Sequence, residues 1–130
     1  MLTYVDSSVL INAVAGKDAA RKMRCLSIFG DQRRVYVATR YLMLELLPVP
    51  SKYRLQRELQ FYQRFFSKVT HWIDEATLIQ PAITLACQYG LTGLDALHVV
   101  AAQSVNAEFV SAERPTKPMY AAYLNSLSVY

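Results

Sequence analysis

The sequence predicts an α/β fold in three layers, α/β/α, with a central parallel sheet of four or five strands. Three observations lead there. Short runs of β-branched and aromatic residues alternate with longer stretches of helical periodicity. The segments between strands are long enough for helical crossovers, which parallel pairing needs and tight hairpins do not supply. The 130 residues are 53% hydrophobic and only 18% charged, a composition that builds a core instead of staying disordered. That length suits one domain spanning residues 1–130.

In order along the chain, "LTYV" at 2–5 reads as a buried strand, and Ser7 or Ser8 caps a helix to about Ala15 that Gly16 ends. Asp18 caps a second helix over about 19–29, with Ala20, Met23, Ile28 and Phe29 as its apolar positions and Gly30 as its stop. "VYVA" at 35–38 is the second strand. Thr39 caps a helix through Leu47, which Pro48 and Pro50 break. An amphipathic helix over about 51–67 places Leu55, Leu59, Tyr62 and Phe66 on one face, with Arg54, Arg57 and Arg64 largely off it. "KVTHWI" at 68–73 is the third strand. A helix over 75–88 carries Pro81 as an irregularity, and another opens near Gly93 after a tight turn. "AEFVSA" at 107–112 is the fourth strand. The tail reads as a short helix followed by an edge strand.

No apolar run approaches the ~20 residues of a membrane helix, and the N-terminus lacks the basic and apolar regions of a signal peptide, so a cytoplasmic protein is expected. Cys25 and Cys87 have no CxxC or Cys/His companions and read as buried free thiols. The net charge of +4 is unevenly distributed. Residues 1–68 hold 12 of the 14 Lys and Arg against five acids, whereas residues 69–130 hold two against five. The basic half is either a solvated helical face or a surface for a polyanion such as nucleic acid.

Ligands of open parallel sheets bind outside the carboxyl ends of the strands. Four acids fall near that rim. Asp6 follows the first strand, Glu45 lies among leucines in the helix after the second, Asp95 opens its helix in "GLDALHVVAA", and Glu113 closes the fourth strand. Taken singly, each has another explanation: a cap for Asp6, a helix-dipole partner for Asp95, a loop acid for Glu113. Glu45 needs a partner if its face is buried. Taken together, four converging carboxylates raise one another's pKa unless a cation neutralises them. All-oxygen ligands favour Mg²⁺ or Mn²⁺ over zinc.

"YVDSSVLI", "LELL", "GLDALHVVAA" and "AEFVSAE", in this order, resemble the motifs of the PIN domain family, especially small VapC-like toxins of toxin–antitoxin pairs. The resemblance spans nearly the whole chain. It implies a compact PIN-like α/β/α fold and a metal-dependent endoribonuclease, the toxin of a toxin–antitoxin pair, with Asp6, Glu45, Asp95 and Glu113 as catalytic and metal-holding acids.

 The hydroxyl residues that follow the family's first Asp correspond to Ser7 and Ser8. Ser111-Ala112-Glu113 keeps the hydroxyl and spacing of the fourth motif but places Glu where the family has Asp, and "RPTKP" follows it directly.

On this reading Asp6, Glu45 and Asp95 hold Mg²⁺ or Mn²⁺, directly or through water, and Glu113 assists or positions the attacking water. Ser8 and Ser111 hold carboxylates or contact phosphate. Lys and Arg of the first half, with Arg114 and Lys117, follow the RNA backbone without reading sequence. The expected partners are an RNA substrate, a cognate antitoxin protein and a second copy of the chain in a homodimer. The rival readings are a PIN-like RNA-binding or assembly module impaired in catalysis by the altered fourth motif, and a phosphoacceptor domain, which lacks the paired acids and late lysine it needs. His98 and His71 read as structural histidines, and Asn12 is left open. Tyr120, Tyr123 and Tyr130 read as core or as an interaction surface.

Overall fold

The computed structural model describes all of residues 1–130. Five parallel strands form one sheet in the order β3-β2-β1-β4-β5: β1 (Leu2–Val5), β2 (Val35–Ala38), β3 (His71–Trp72), β4 (Glu108–Ser111) and β5 (Ser126–Ser128). Thr3 pairs with Tyr36 on one side and with Glu108 on the other, so β1 lies at the centre of the sheet. Between strands run α1 (Ser7–Ala15), α2 (Ala19–Gly30), α3 (Arg40–Leu46), α4 (Pro48–Lys52), α5 (Gln56–Ser67), α6 (Ile79–Tyr89), α7 (Gly93–Ser104) and α8 (Met119–Ala122).

Successive strand residues point to opposite faces, and the core divides accordingly. Val5, Tyr36 and Val110 pack with Val9, Leu10, Leu42 and Phe65 of α1, α3 and α5. Tyr4, Val37 and Phe109 pack on the other face with Leu97, Val99, Ala102 and Met119 of α7 and α8. The three-layer α/β/α architecture is therefore as the sequence predicts, with five strands. No helix is long and apolar enough to cross a membrane.

Several local expectations change. Asp6, not Ser7 or Ser8, is the N-cap of α1: its extended backbone precedes the helix and its carboxylate accepts from the Ser7 N–H. The helix breaks before Pro48 as expected, but Pro48 then opens a short α4, because the first turn has no use for its missing N–H. The chain then turns at Tyr53–Leu55, with Arg54 at φ +53°, so the amphipathic helix starts at Gln56 and Leu55 is exposed. On α2 it is Cys25 and Ile28 that turn inward, and Met23 faces solvent. The third strand shrinks to two residues at the sheet edge, and the segment expected as one helix over 75–88 begins as a 3-10 turn at Glu75–Thr77 before α6. Cys25 is buried as expected; Cys87 is exposed on α6. Gly90 ends α6 at φ +72°, the left-handed position that favours glycine.

Candidate active site

Parallel pairing brings the ends of β1, β2 and β4 to one rim of the sheet. Asp6 follows β1 directly and its N–H continues the ladder to the Val110 carbonyl at 2.9 Å. Helix α3 starts just past β2 and carries Glu45. Helix α7 leads back to the start of β4, so its N-terminal turn, with Asp95, lies at the rim while its C-terminal end lies at the opposite edge. Glu113 sits two residues past β4.

Asp6 is 5% exposed and is held from three directions. Its Oδ1 accepts from the Ser7 N–H at 2.8 Å. Its Oδ2 accepts from the hydroxyls of Ser8 at 2.9 Å and Ser111 at 3.0 Å. Those serines are themselves fixed: Ser8 Oγ accepts from the Ala112 N–H, and Ser111 Oγ from the Glu113 N–H. The fourth-motif hydroxyl thus supports the first-motif acid. Burial pushes the Asp6 carboxyl up from its ordinary value, and the charge of Asp95 pushes the same way; His98 and the two serine hydroxyls pull it down. No Lys or Arg pairs with it.

Glu45 is partly buried, and its partner is His98. The His98 Nε2 contacts Glu45 Oε1, and the Ser7 hydroxyl donates to Glu45 Oε2 at 3.2 Å. His98 is 1% exposed, and its other nitrogen, Nδ1, lies 2.6 Å from the Tyr4 hydroxyl. Tyr4 in turn lies 2.9 Å from Thr39 Oγ1, all of it buried. Burial drives the Tyr4 phenol far above its ordinary range, and the charges of Asp6 and Glu45 add to that shift, which places all three groups in one neighbourhood.

Asp95 is half-buried and makes no ion pair. Glu113 is also half-buried, and it is the backbone of this residue that is tied down: its carbonyl accepts from Tyr120 at 2.7 Å and Ser128 at 2.8 Å. Arg114 turns its guanidinium toward Tyr130, donating to the ring hydroxyl at 3.2 Å, and Lys117 is exposed. Asn12 donates to the Ser8 carbonyl at 2.8 Å, bracing the first turn of α1. His71 lies exposed on the edge strand.

In kind, these donors fit a hard divalent cation. The elements that carry these carboxylates meet at one rim, and a buried carboxylate raised by desolvation without a basic partner gains from a cation beside it. In the side-chain arrangement observed, no three His, Cys, Asp or Glu residues stand together as a ligand group. Each Glu45 oxygen has one partner, His98 or Ser7, which leaves it a further lone pair. An apolar groove of about 270 Å³ runs from Glu45 past Ile11, Val49, Leu55 and Tyr62.

Sequence reasoning missed the link through Tyr4, Thr39 and His98. Its signals were present: Tyr4 lies two residues before Asp6, on the same side of an extended strand, and His98 lies three after Asp95, on the same side of a helix. The bidentate pair of Arg40 with Glu75 was also missed, since nothing in the sequence relates positions 35 residues apart.

No family model matches the chain, and no curated protein matches it. Solved structures do. A chain of a toxin–antitoxin complex from Klebsiella pneumoniae superposes with a TM-score of 0.73 at 19% identity, covering 99% of this chain and 97% of that one. VapBC2 from Rickettsia felis, bound to a DNA fragment from its promoter, gives 0.67 at 16% identity over 98% and 97%. PAE2754 from Pyrobaculum aerophilum gives 0.62 at 20% identity over 99% and 92%. At these identities the likeness is one of fold, and it agrees with the resemblance carried by the motifs: the chain has the PIN-like α/β/α fold.

Proposed function

We propose that this protein is a metal-dependent endoribonuclease and the toxin of a toxin–antitoxin pair. The observation that carries the reading is Asp6, a buried carboxylate without a basic partner, set at the strand-end rim with Glu45 and Asp95. Asp6, Asp95 and Glu45 would hold Mg²⁺ or Mn²⁺, and Glu113 would position the attacking water. When bound, such an ion lowers the pKa of water and offsets charge on the phosphoryl oxygens.

The chain's own residues prepare that site. Ser8 and Ser111 fix the orientation of Asp6 through its Oδ2, and the Ser7 N–H holds Oδ1. His98 and Ser7 hold Glu45. The carboxylates at the rim are acceptors for the proton that the attacking water loses. Basic residues of the first half, with Arg114 and Lys117, would neutralise the RNA backbone. A small antitoxin protein is the proposed partner, supported by two structural neighbours that are toxin–antitoxin complexes. A homodimer of this chain is proposed with it.

Purified protein incubated with structured RNA and Mn²⁺ is expected to cleave, with EDTA abolishing the cleavage. Asp6→Asn and Asp95→Asn are each expected to lower the rate by more than about 100-fold, beyond the usual cost of losing a group that merely supports a ligand. Cleavage that survives EDTA or both substitutions overturns the metal assignment. RNA binding without cleavage would instead support a PIN-like binding module.

A further inference from the structure

Glu45 sits at the end of a buried hydrogen-bond chain that crosses from β2 through β1 to α7. Thr39, Tyr4 and His98 are each 1% exposed or less, and only Glu45, at the far end, reaches solvent. Two hydrogen-bond directions satisfy every contact, and both place a proton on His98 Nε2. An ionised Glu45 only accepts, so the His98 Nε2–H must donate to it. In the neutral ring Nδ1 accepts from the Tyr4 hydroxyl, 2.6 Å away, and in the imidazolium it donates to that oxygen. Tyr4 correspondingly accepts from the Thr39 hydroxyl at 2.9 Å or donates to it.

We propose that His98 is a positioning residue for Glu45: the Thr39–Tyr4–His98 chain locks its Nε2–H toward Oε1 and so presents the carboxylate to a divalent cation at the rim. The inference rests on the proposed metal site and deepens it. The Tyr4 hydroxyl and the Glu45 carboxylate hold the two ring nitrogens from opposite sides, which fixes the orientation of the ring. The acid that Nε2 engages lies on another element, α3, so the contact fixes Glu45 relative to α7. Outer groups that hold a ligating carboxylate typically change metal affinity about 10- to 100-fold when removed. Ser7 holds the second Glu45 oxygen, so the carboxylate is fixed at two points, one on α1 and one on α7.

The amide variants of His98 separate positioning from packing. Gln places an N–H near the Nε2 position and can still reach Glu45. Asn places its polar atoms near the Nδ1 position, toward Tyr4, and cannot. Mn²⁺ affinity would be measured by titration calorimetry, with RNA cleavage and Tm of the metal-free protein in parallel. His98→Asn is expected to weaken Mn²⁺ binding about tenfold or more, His98→Gln less than about threefold, and Tyr4→Phe to fall between them. Nitrogen-15 NMR of the wild-type histidines is expected to show a proton on His98 Nε2. Equal Mn²⁺ affinity in wild type and His98→Asn overturns the proposal, as does an Nε2 that carries no proton, or losses in Asn and Gln that match each other and follow Tm. The two readings fail differently. Wild type that binds Mn²⁺ with the Asn–Gln difference but cleaves no RNA overturns the nuclease and keeps the relay. Wild type that binds no Mn²⁺ overturns both.

Discussion

Asp6 combines two tasks that the sequence suggested were separate. One oxygen caps α1 and the other is held by two serines from opposite ends of the chain. Its carboxyl is raised above the ordinary 3.8, with burial as the main cause. A group with a raised native pKa binds its proton more tightly folded than unfolded, so stability falls as pH rises from about 3.8 through the native value. Asp6→Asn removes that dependence. Its amide oxygen still accepts from Ser7, and its NH₂ can donate to the serine oxygens. Without divalent ions, the variant is expected to melt no lower than wild type at pH 7, with the difference shrinking toward pH 4. A clear loss of Tm at pH 7 would show that the ionised carboxylate stabilises the fold.

Among the elements, the start of α3 is held by a contact that no local pattern announces. Glu75, in the 3-10 turn, accepts from the Arg40 backbone N–H and from two nitrogens of its guanidinium. Hydrogen bonds from Arg40 hold the Glu75 carboxyl below its ordinary value. The sign is opposite to that at Asp6. The contribution is complete above the unfolded-state value of about 4.5 and is lost as pH falls through the lower native value. Glu75→Gln is expected to lower Tm at neutral pH and to converge with wild type in acid, which thermal melts across pH 2–7 would measure. Because Arg40 is largely exposed, solvent and salt weaken the pair, and the difference should narrow at high ionic strength. Gly16 matters for another reason: a Cβ there would meet the Asn12 carbonyl oxygen at 2.5 Å, so the turn from α1 into α2 admits little else.

For the whole molecule, charge is the property with the widest reach. Twelve of 14 basic residues lie before residue 69, and Arg57, Arg64 and Lys22 line one groove between α2 and α5 that has no acid in its walls. If three or four RNA phosphates are neutralised, affinity is expected to fall about 20- to 50-fold between 50 and 200 mM salt, from a slope of roughly 0.7 per phosphate. Arg57→Ala and Arg64→Ala are each expected to reduce that slope by about 0.7 if they contact phosphate. Filter binding at several salt concentrations, with Asp6→Asn to prevent cleavage, would measure it; a flat salt response would rule out backbone contacts as the source of affinity.

Much of this protein is legible in one dimension. Alternating strands and crossovers determine the α/β class, and the four acids stand out by position: Asp6 and Glu113 follow strands, Asp95 opens a helix, and Glu45 interrupts a run of leucines. These are local signals, set by periodicity and by the cost of burying charge. What only the tertiary structure decided is which groups answer those acids. Ser111 reaches Asp6 across 105 positions, His98 reaches Glu45 across 53, and Tyr4 reaches His98 across 94. Hydrogen bonds of a few ångströms depend on how the sheet orders its strands and how α7 lies against them. Neither is encoded by spacing along the chain.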